Sequence, residues 1–146
     1  MILNLPDVRQ RNNWSCGEAA VRTVFEYHGA KGKLPVSSPI DGADPRTLEG
    51  ALHRAGLVLQ SGRMDLEDLR FHTRKDRPVI CLVRNQNNDS GHYVVVAGVS
   101  RGQVHFQCST YGFAKQKAGA FEDRWWDIDR GGMKIVSWGI AVWGEG

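Results

Sequence analysis

Gln10-Arg11-Asn12-Asn13-Trp14-Ser15-Cys16-Gly17 decides how this chain is read. A cysteine opens an apolar-periodic segment, and an amide side chain precedes it by a short polar stretch. Val21, Val24, Phe25 and His28 recur at helical spacing, Ala20 widens the stripe, and Gly29 and Gly32 end it. The pattern predicts a helix from about Ser15 to His28, with Cys16 in its first turn. The positive end of a helix favours an anion, so a thiol placed there is held closer to its nucleophilic thiolate form.

Far downstream, Gly91-His92-Tyr93-Val94-Val95-Val96 sets a histidine at the head of the strongest strand in the chain, expected over His92 to Val99. A cysteine on an apolar helix is by itself usually a small core residue. A histidine before a valine-rich strand is commonly structural. Together, and with Gln10 ahead of Cys16, they point to acyl-transfer chemistry. Cys16 is the candidate nucleophile, His92 the base, and the Gln10 amide, with the Cys16 backbone N–H, the oxyanion donor. His92, as imidazolium, is expected to lower the Cys16 pKa further.

Around these anchors the elements read mainly as helices first and strands later. Residues 29–43 carry the signals of a loop. Asp44-Pro45 is an N-cap followed by a first-turn proline, and Leu48, Ala51, Leu52 and Ala55 form the apolar face of a second helix up to Gly56. Leu57-Val58-Leu59 is a short strand. Asp65 caps a third helix carrying Leu66, Leu69 and Phe71. Val79 to Val83 reads as a buried strand after Pro78, and Arg84 to Gly91 as a polar loop. Arg101-Gly102 is a hairpin turn leading into Val104-His105-Phe106-Gln107. A loop rich in glycine and lysine then precedes a short helix near Ala120 to Trp126, and Met133 to Trp143 is rich in strand formers. Runs of helices followed by runs of strands indicate an α+β fold, with N-terminal helices on a small, twisted, mainly antiparallel sheet, and not alternating βαβ units. At 146 residues the chain is expected to be a single domain over 1–146.

Composition excludes several classes. With 41% hydrophobic residues and a net charge of +3, the chain is not of the disordered type. The densest basic stretch, Arg70, Arg74, Lys75 and Arg77, is interrupted by Asp76 and reads as solvated helix surface, so no nucleic-acid partner is expected. No apolar run approaches a membrane span, so no membrane insertion is expected. Three cysteines, Cys16, Cys81 and Cys108, make no disulfide framework and fit a reduced, cytoplasmic setting. Their spacing gives no zinc pattern, so neither metal nor cofactor is expected. Cys81, inside an apolar strand, reads as core. Trp14 reads equally as a cleft wall or as packing of the segment before the helix.

Gln10 to Cys16-Gly17, Ala19-Ala20, Tyr27-His28-Gly29, Gly91-His92-Tyr93-Val94-Val95-Val96-Ala97-Gly98 and Phe121-x2-Arg124-Trp125 together resemble the papain-like cysteine peptidases. The resemblance is closest to the bacteriocin-leader (double-glycine) peptidase group and its stand-alone relatives, and it covers nearly the whole chain. It implies a papain-like fold and hydrolysis of a peptide or other amide bond through a thioester, with a peptide or protein as substrate. Members often cut after Gly-Gly in a leader peptide, and several are the cytoplasmic front end of an export transporter. Association with an export or processing system follows from the same resemblance. So do a free peptidase, a partner-dependent processing factor, and an impaired relative that binds peptide or a protein partner without cleaving it.

The family's third residue is an aspartate one strand beyond the histidine. Here the segment reads Phe106-Gln107-Cys108-Ser109-Thr110-Tyr111-Gly112. Counting from His92 favours Cys108; anchoring on the Ser-Thr that follows favours Gln107. Gln107 would orient an imidazole through its amide carbonyl, whereas a thiol at 108 is a poor acceptor. Asp127 and Asp129 are the nearest carboxylates downstream, and their use would require a rearranged chain. Ser137-Trp138-Gly139 resembles a segment near the end of papain, but Val136 stands where that site has its asparagine, so the tail reads as a final strand.

Overall fold

The computed structural model describes residues 2–35, 43–84, 91–129 and 131–144. Helix α1 (Cys16–His28) starts at the cysteine, with Ser15 at its N-cap and Gly29 in the left-handed conformation at its end. Helix α2 (Pro45–Arg54) is capped by Asp44, whose carboxylate accepts from Thr47 N. Strand β1 (Leu57–Arg63) follows, and then α3 (Leu66–Arg74), entered through a capping box between Asp65 and Asp68. Next come β2 (Val79–Arg84), β3 (Gly91–Ser100), β4 (Gln103–Cys108) and β5 (Gly112–Lys117). The short α4 (Ala118–Arg124), β6 (Trp126–Ile128), β7 (Lys134–Val136) and β8 (Trp138–Gly144) complete the order.

Six strands form one sheet in the order β1-β8-β2-β3-β4-β5, and every pairing is antiparallel. β6 and β7 form a separate ribbon. The architecture is α+β, with the N-terminal helices against a twisted antiparallel sheet. β2 and β3 are buried on both faces, which is why they read as near-continuous apolar runs. Ile80, Leu82, Tyr93, Val95 and Ala97 join α1 and α2 in one core. Their alternate neighbours Val79, Cys81, Val83, Val94 and Val96 join Leu69, Phe106, Phe121 and Trp125 in a second. The period of two along a strand divides the molecule into these cores.

Gly17 is required by close approach. A β-carbon there would lie 3.1 Å from Leu48 Cδ1, 3.2 Å from Ala43 Cβ and 3.4 Å from Tyr93 Cδ2. The bare Cα therefore lets the first turn of α1 seat against both α2 and β3. The N-terminal segment is tied to the same sheet by Leu3 N donating to Ala97 O at 2.8 Å, and buries Leu3, Leu5 and Val8.

Three expectations change. Phe71 is not on the inner face of α3 but 52% exposed, under the Lys75 ammonium. Leu69, His72 and Thr73 are the buried residues of that helix, and Phe71, two positions after Leu69, falls on the opposite side of the helical wheel. The glycine- and lysine-rich stretch after β4 is not a loop. Gly112, at φ 93°, turns the chain back, and Gly112–Lys117 pairs with β4 as the edge strand. The outward lysines are what made it read as loop, and on an edge they discourage further strand pairing. The following helix starts and ends two residues earlier than expected, because Trp126 begins β6. Arg101 and Gly102 do make the hairpin turn, both at positive φ. Residues 36–42 of the first expected loop and 85–90 of the polar loop before β3 lie outside the described residues.

Candidate active site

Cys16 is the first residue of α1. Ser15 does not cap the helix with its side chain; its hydroxyl instead accepts from Arg11 N and Asn12 N, each at 3.2 Å. The first-turn N–H groups are thus left for the thiol. Backbone N–H groups of Tyr93, Gly17 and Cys16 itself draw its pKa down, yet burial outweighs them and pushes the thiol up from its ordinary value. The expected low thiol pKa is therefore corrected: the helix-end N–H groups lower it as expected, but desolvation of the anion is larger, and His92, uncharged at neutral pH, does not supply the expected imidazolium.

His92 is the second residue of β3 and is 6% exposed. Burial, and secondarily the Arg124 guanidinium, lower its pKa to about 4. At neutral pH the ring is uncharged. Its Nε2 lies 3.3 Å from Cys108 Sγ. The strand register explains the contact: Val94 sits opposite Cys108, so His92 lies diagonally from Cys108 on the same sheet face. No hydrogen bond joins Cys16 and His92. Cys16 instead lies against the backbone of Tyr93, the next residue along β3.

The two candidates for the third position are separated by the same register. Cys108 faces His92. Gln107 points to the other side of β4, where its Nε2 donates to Asp7 Oδ1 at 2.7 Å. The Asp7 carboxylate also takes Arg9 Nε at 2.7 Å. Neither downstream carboxylate reaches the imidazole. Asp127 Oδ1 accepts from Arg84 Nη1 at 2.8 Å, and Asp129 Oδ1 closes its own turn by accepting from Gly131 N and Met133 N.

Gln10 is fixed by three contacts. Its Oε1 accepts from Ser109 Oγ at 2.7 Å and Thr110 Oγ1 at 3.1 Å, and its Nε2 donates to Asn12 O at 2.7 Å. Its backbone N also donates to Ser109 O at 3.0 Å. A primary amide carries two N–H donors, and Asn12 takes one. The residues that hold Gln10 follow Cys108 directly, so the end of β4 supports both His92 and the segment before Cys16. Sequence reading used Ser109-Thr110 only to count positions; their role in gripping Gln10 depends on a contact some hundred residues apart in sequence.

In the sequence Arg124 stands out only as part of Phe121-x2-Arg124-Trp125. Its Nη1 donates to Arg84 O at 2.8 Å and its Nε to Gln116 Oε1 at 2.9 Å, while its charge acts on both His92 and Cys108. Cys81 is fully buried in the second core. Trp14 is 37% exposed beside Cys16 in sequence. Among the described residues no three His, Cys, Asp or Glu side chains converge to hold a metal, and no helix is long and apolar enough to cross a membrane.

The profile of the Peptidase C39 family matches residues 4–128. No curated protein sequence matches the chain. Among solved structures, the fold resembles a double glycine motif protease from an AMS/PCAT transporter, in complex with the leader peptide, at 17% identity and TM-score 0.69, covering 97% of this chain and 92% of that one. It also resembles the peptidase domain of Streptococcus ComA, a bi-functional ABC transporter involved in quorum sensing, at 15% identity and TM-score 0.68, covering 97% and 98%. The peptidase domain of Streptococcus mutans ComA in complex with a small-molecule inhibitor matches at 14% identity and TM-score 0.64, covering 94% and 98%. At these identities the likeness is one of fold.

Proposed function

The chain belongs to the Peptidase C39 family of cysteine peptidases, and on that premise we propose that it hydrolyses a peptide bond with Cys16 as nucleophile, His92 as acid and base, and Gln10 as oxyanion donor. The observation that carries this is the grip on Gln10. Ser109, Thr110 and Asn12 fix its amide beside the first turn of α1, from the strand end that also contacts His92.

The reaction starts from a neutral thiol and a neutral imidazole. His92 takes the thiol proton as Cys16 Sγ attacks the carbonyl carbon, because burial disfavours the separated ions beforehand. The oxyanion is held by Cys16 N–H and Gln10 Nε2. The imidazolium then gives its proton to the departing amine, leaving a thioester. Water adds to the thioester with His92 as base, and the acid and the free thiol are released.

The substrate in this reading is a leader peptide with a double glycine before the cleavage site, the substrate type named for the first of the similar structures. The partner is the export or processing system that handles that peptide. The reaction runs in the cytoplasm, where thiols stay reduced, and residues 1–146 act as one domain.

A second reading has a specific observation behind it. His92 faces a thiol where the family has a carboxylate, and it makes no hydrogen bond to Cys16. A site left in that state binds a peptide without cutting it. Incubation with a peptide containing an internal Gly-Gly, followed by mass analysis of products, separates the two. The peptidase reading expects cleavage, slow in the wild type, faster in Cys108→Asp and absent in Cys16→Ala. Calorimetric binding with no product from either wild type or Cys108→Asp would replace it with the binding reading.

A further inference from the structure

The two donors proposed for the oxyanion sit on different pieces of chain. The Cys16 N–H belongs to the first turn of α1, and Gln10 belongs to the segment that precedes it. Such a donor acts at about 2.7–3.1 Å from the oxyanion, so a small error between the two pieces forfeits one of them. Residues 9–14 are exposed or half-buried, so apolar packing does not hold this segment in place. Its polar contacts do, and most of them lead to the sheet. Ser109 and Thr110 hold the Gln10 amide, and Arg9 Nη1 donates to Thr110 O at 3.3 Å. The Arg9 guanidinium lies so close to the turn into β5 that a β-carbon on Gly112 would stand 2.5 Å from Nη2. These contacts place Gln10 against the end of β4, and none of them reaches the helix that carries Cys16.

Arg22 supplies the link to α1. Its Nη2 donates to Arg9 O at 2.9 Å. That carbonyl shares one planar peptide group with the N–H of Gln10, which donates to Ser109 O at 3.0 Å. A single rigid plane, directly before the Gln10 Cα, is therefore held by α1 at its oxygen and by the end of β4 at its nitrogen. Ser15 Oγ, which accepts from Arg11 N and Asn12 N, orders the turn only after Gln10.

Glu18 lies one helical turn before Arg22. Its Oε1 is 3.3 Å from Arg22 Nε and 3.8 Å from Arg11 Nε on the segment itself. Glu18 Oε1 and Arg22 Nε are shut off from water and make no hydrogen bond, so they meet as a charge pair that solvent does little to weaken. The pair turns the Nε side of the guanidinium toward Glu18 and leaves Nη2 for the Arg9 carbonyl. A planar fork serves two partners in this way; a lysine has one ammonium and cannot.

We propose that Arg22 is a positioning residue for the peptidase reaction: by holding the Arg9–Gln10 peptide against α1 it fixes the Gln10 amide relative to the Cys16 N–H, and Glu18 fixes Arg22. The inference rests on the peptidase reading and adds to it the group that sets the spacing of the two oxyanion donors. Arg22 touches neither substrate nor nucleophile and acts through Gln10.

The test is Arg22→Met, which keeps the stem and removes the guanidinium. With the Gly-Gly peptide, kcat should fall by about tenfold while KM moves less than about twofold, because the oxyanion forms only beyond the ground state. In a Gln10→Ala background the same change should cost less than about twofold, since the donor that Arg22 places is gone. Glu18→Gln leaves the bond to Arg9 O and is the milder variant should Arg22→Met not fold. It should lose about threefold in kcat, again only where Gln10 is present. A loss of equal size with and without Gln10 would make Arg22 merely structural and overturn the proposal, as would wild-type kcat in Arg22→Met. ¹⁵N NMR of the Gln10 side-chain amide, identified by its absence in Gln10→Ala, reads the link without turnover. The signal should be rigid in the wild type and mobile in Arg22→Met and Glu18→Gln. An amide equally rigid in all three overturns the proposal even where no peptide is cut. A wild type that cuts nothing, with the amide released in Arg22→Met, supports the link and brings down the peptidase reading alone.

Discussion

The Cα of Gly91 faces the carboxylate of Asp127 so closely that a β-carbon on it would lie 2.1 Å from Oδ2 and 2.7 Å from Cγ. Asp127 in turn binds Arg84 Nη1 at 2.8 Å, which ties the β6 ribbon to the end of β2 beside His92. Glycine at 91 lets that ion pair sit directly over the strand end that carries the histidine.

Gly91→Ala should therefore expel the carboxylate and cost about 1–3 kcal/mol, the usual range for overpacking. The midpoint of urea unfolding reads the loss. Combining it with Asp127→Ala, which removes the clashing atoms, should recover part of the loss. Full additivity of the two changes would mean that they do not meet.

Gln10 divides into an acceptor, used by Ser109 and Thr110, and a donor, one N–H of which is taken by Asn12 O and the other of which is the proposed oxyanion donor. Gln10→Ala removes both and should lower kcat/KM by about 10²–10³. Gln10→Glu keeps the acceptor oxygens and lacks the N–H. It should fall as far in turnover, and because it also loses the bond to Asn12 O its unfolding midpoint should fall below that of the wild type. A Gln10→Glu enzyme of wild-type activity would show that the amide only packs.

Burial of the Cys16 thiol predicts the pH at which it reacts. Site-resolved alkylation with iodoacetamide should rise with a midpoint above that of an ordinary free thiol. His92→Ala should move the midpoint little, because no hydrogen bond joins the two side chains. A rate already at its plateau at neutral pH would contradict this and mark a preformed thiolate.

His92 predicts how stability varies with pH. Its folded pKa of about 4 lies below the unfolded value near 6.5, so the unfolded chain binds the extra proton. The stability associated with the neutral buried ring is present above about 6.5 and is lost as pH falls towards about 4, amounting to about 3 kcal/mol at most. Denaturant midpoints from pH 7 to 4.5 should fall more steeply in the wild type than in His92→Asn. Parallel slopes would mean that the ring is solvated.

Much of the site was legible in one dimension because its signals are local. Ser15-Cys16 marks a helix start, Asp44-Pro45 and Asp65 mark two more, and the valine run after His92 marks a strand. Each depends on backbone chemistry within a few residues. Choosing between Gln107 and Cys108 was not possible that way. Adjacent residues of a strand point to opposite faces, and only the register against β3 tells which face carries His92. The lysines of Gly112–Lys117 hid a strand for a related reason: an edge strand with one exposed face has too few apolar residues to announce itself.

Sequence alone determined the family, the helix-borne Cys16, the strand-borne His92 and the presence of Gln10 before them, since each is encoded by neighbours along the chain. Tertiary structure alone decided that Ser109 and Thr110 grip Gln10, that Cys108 and not Gln107 meets the imidazole, and that cysteine and histidine rest uncharged. Those depend on pairing register and on how much water folding removes from each group. Neither quantity exists until distant segments have packed together.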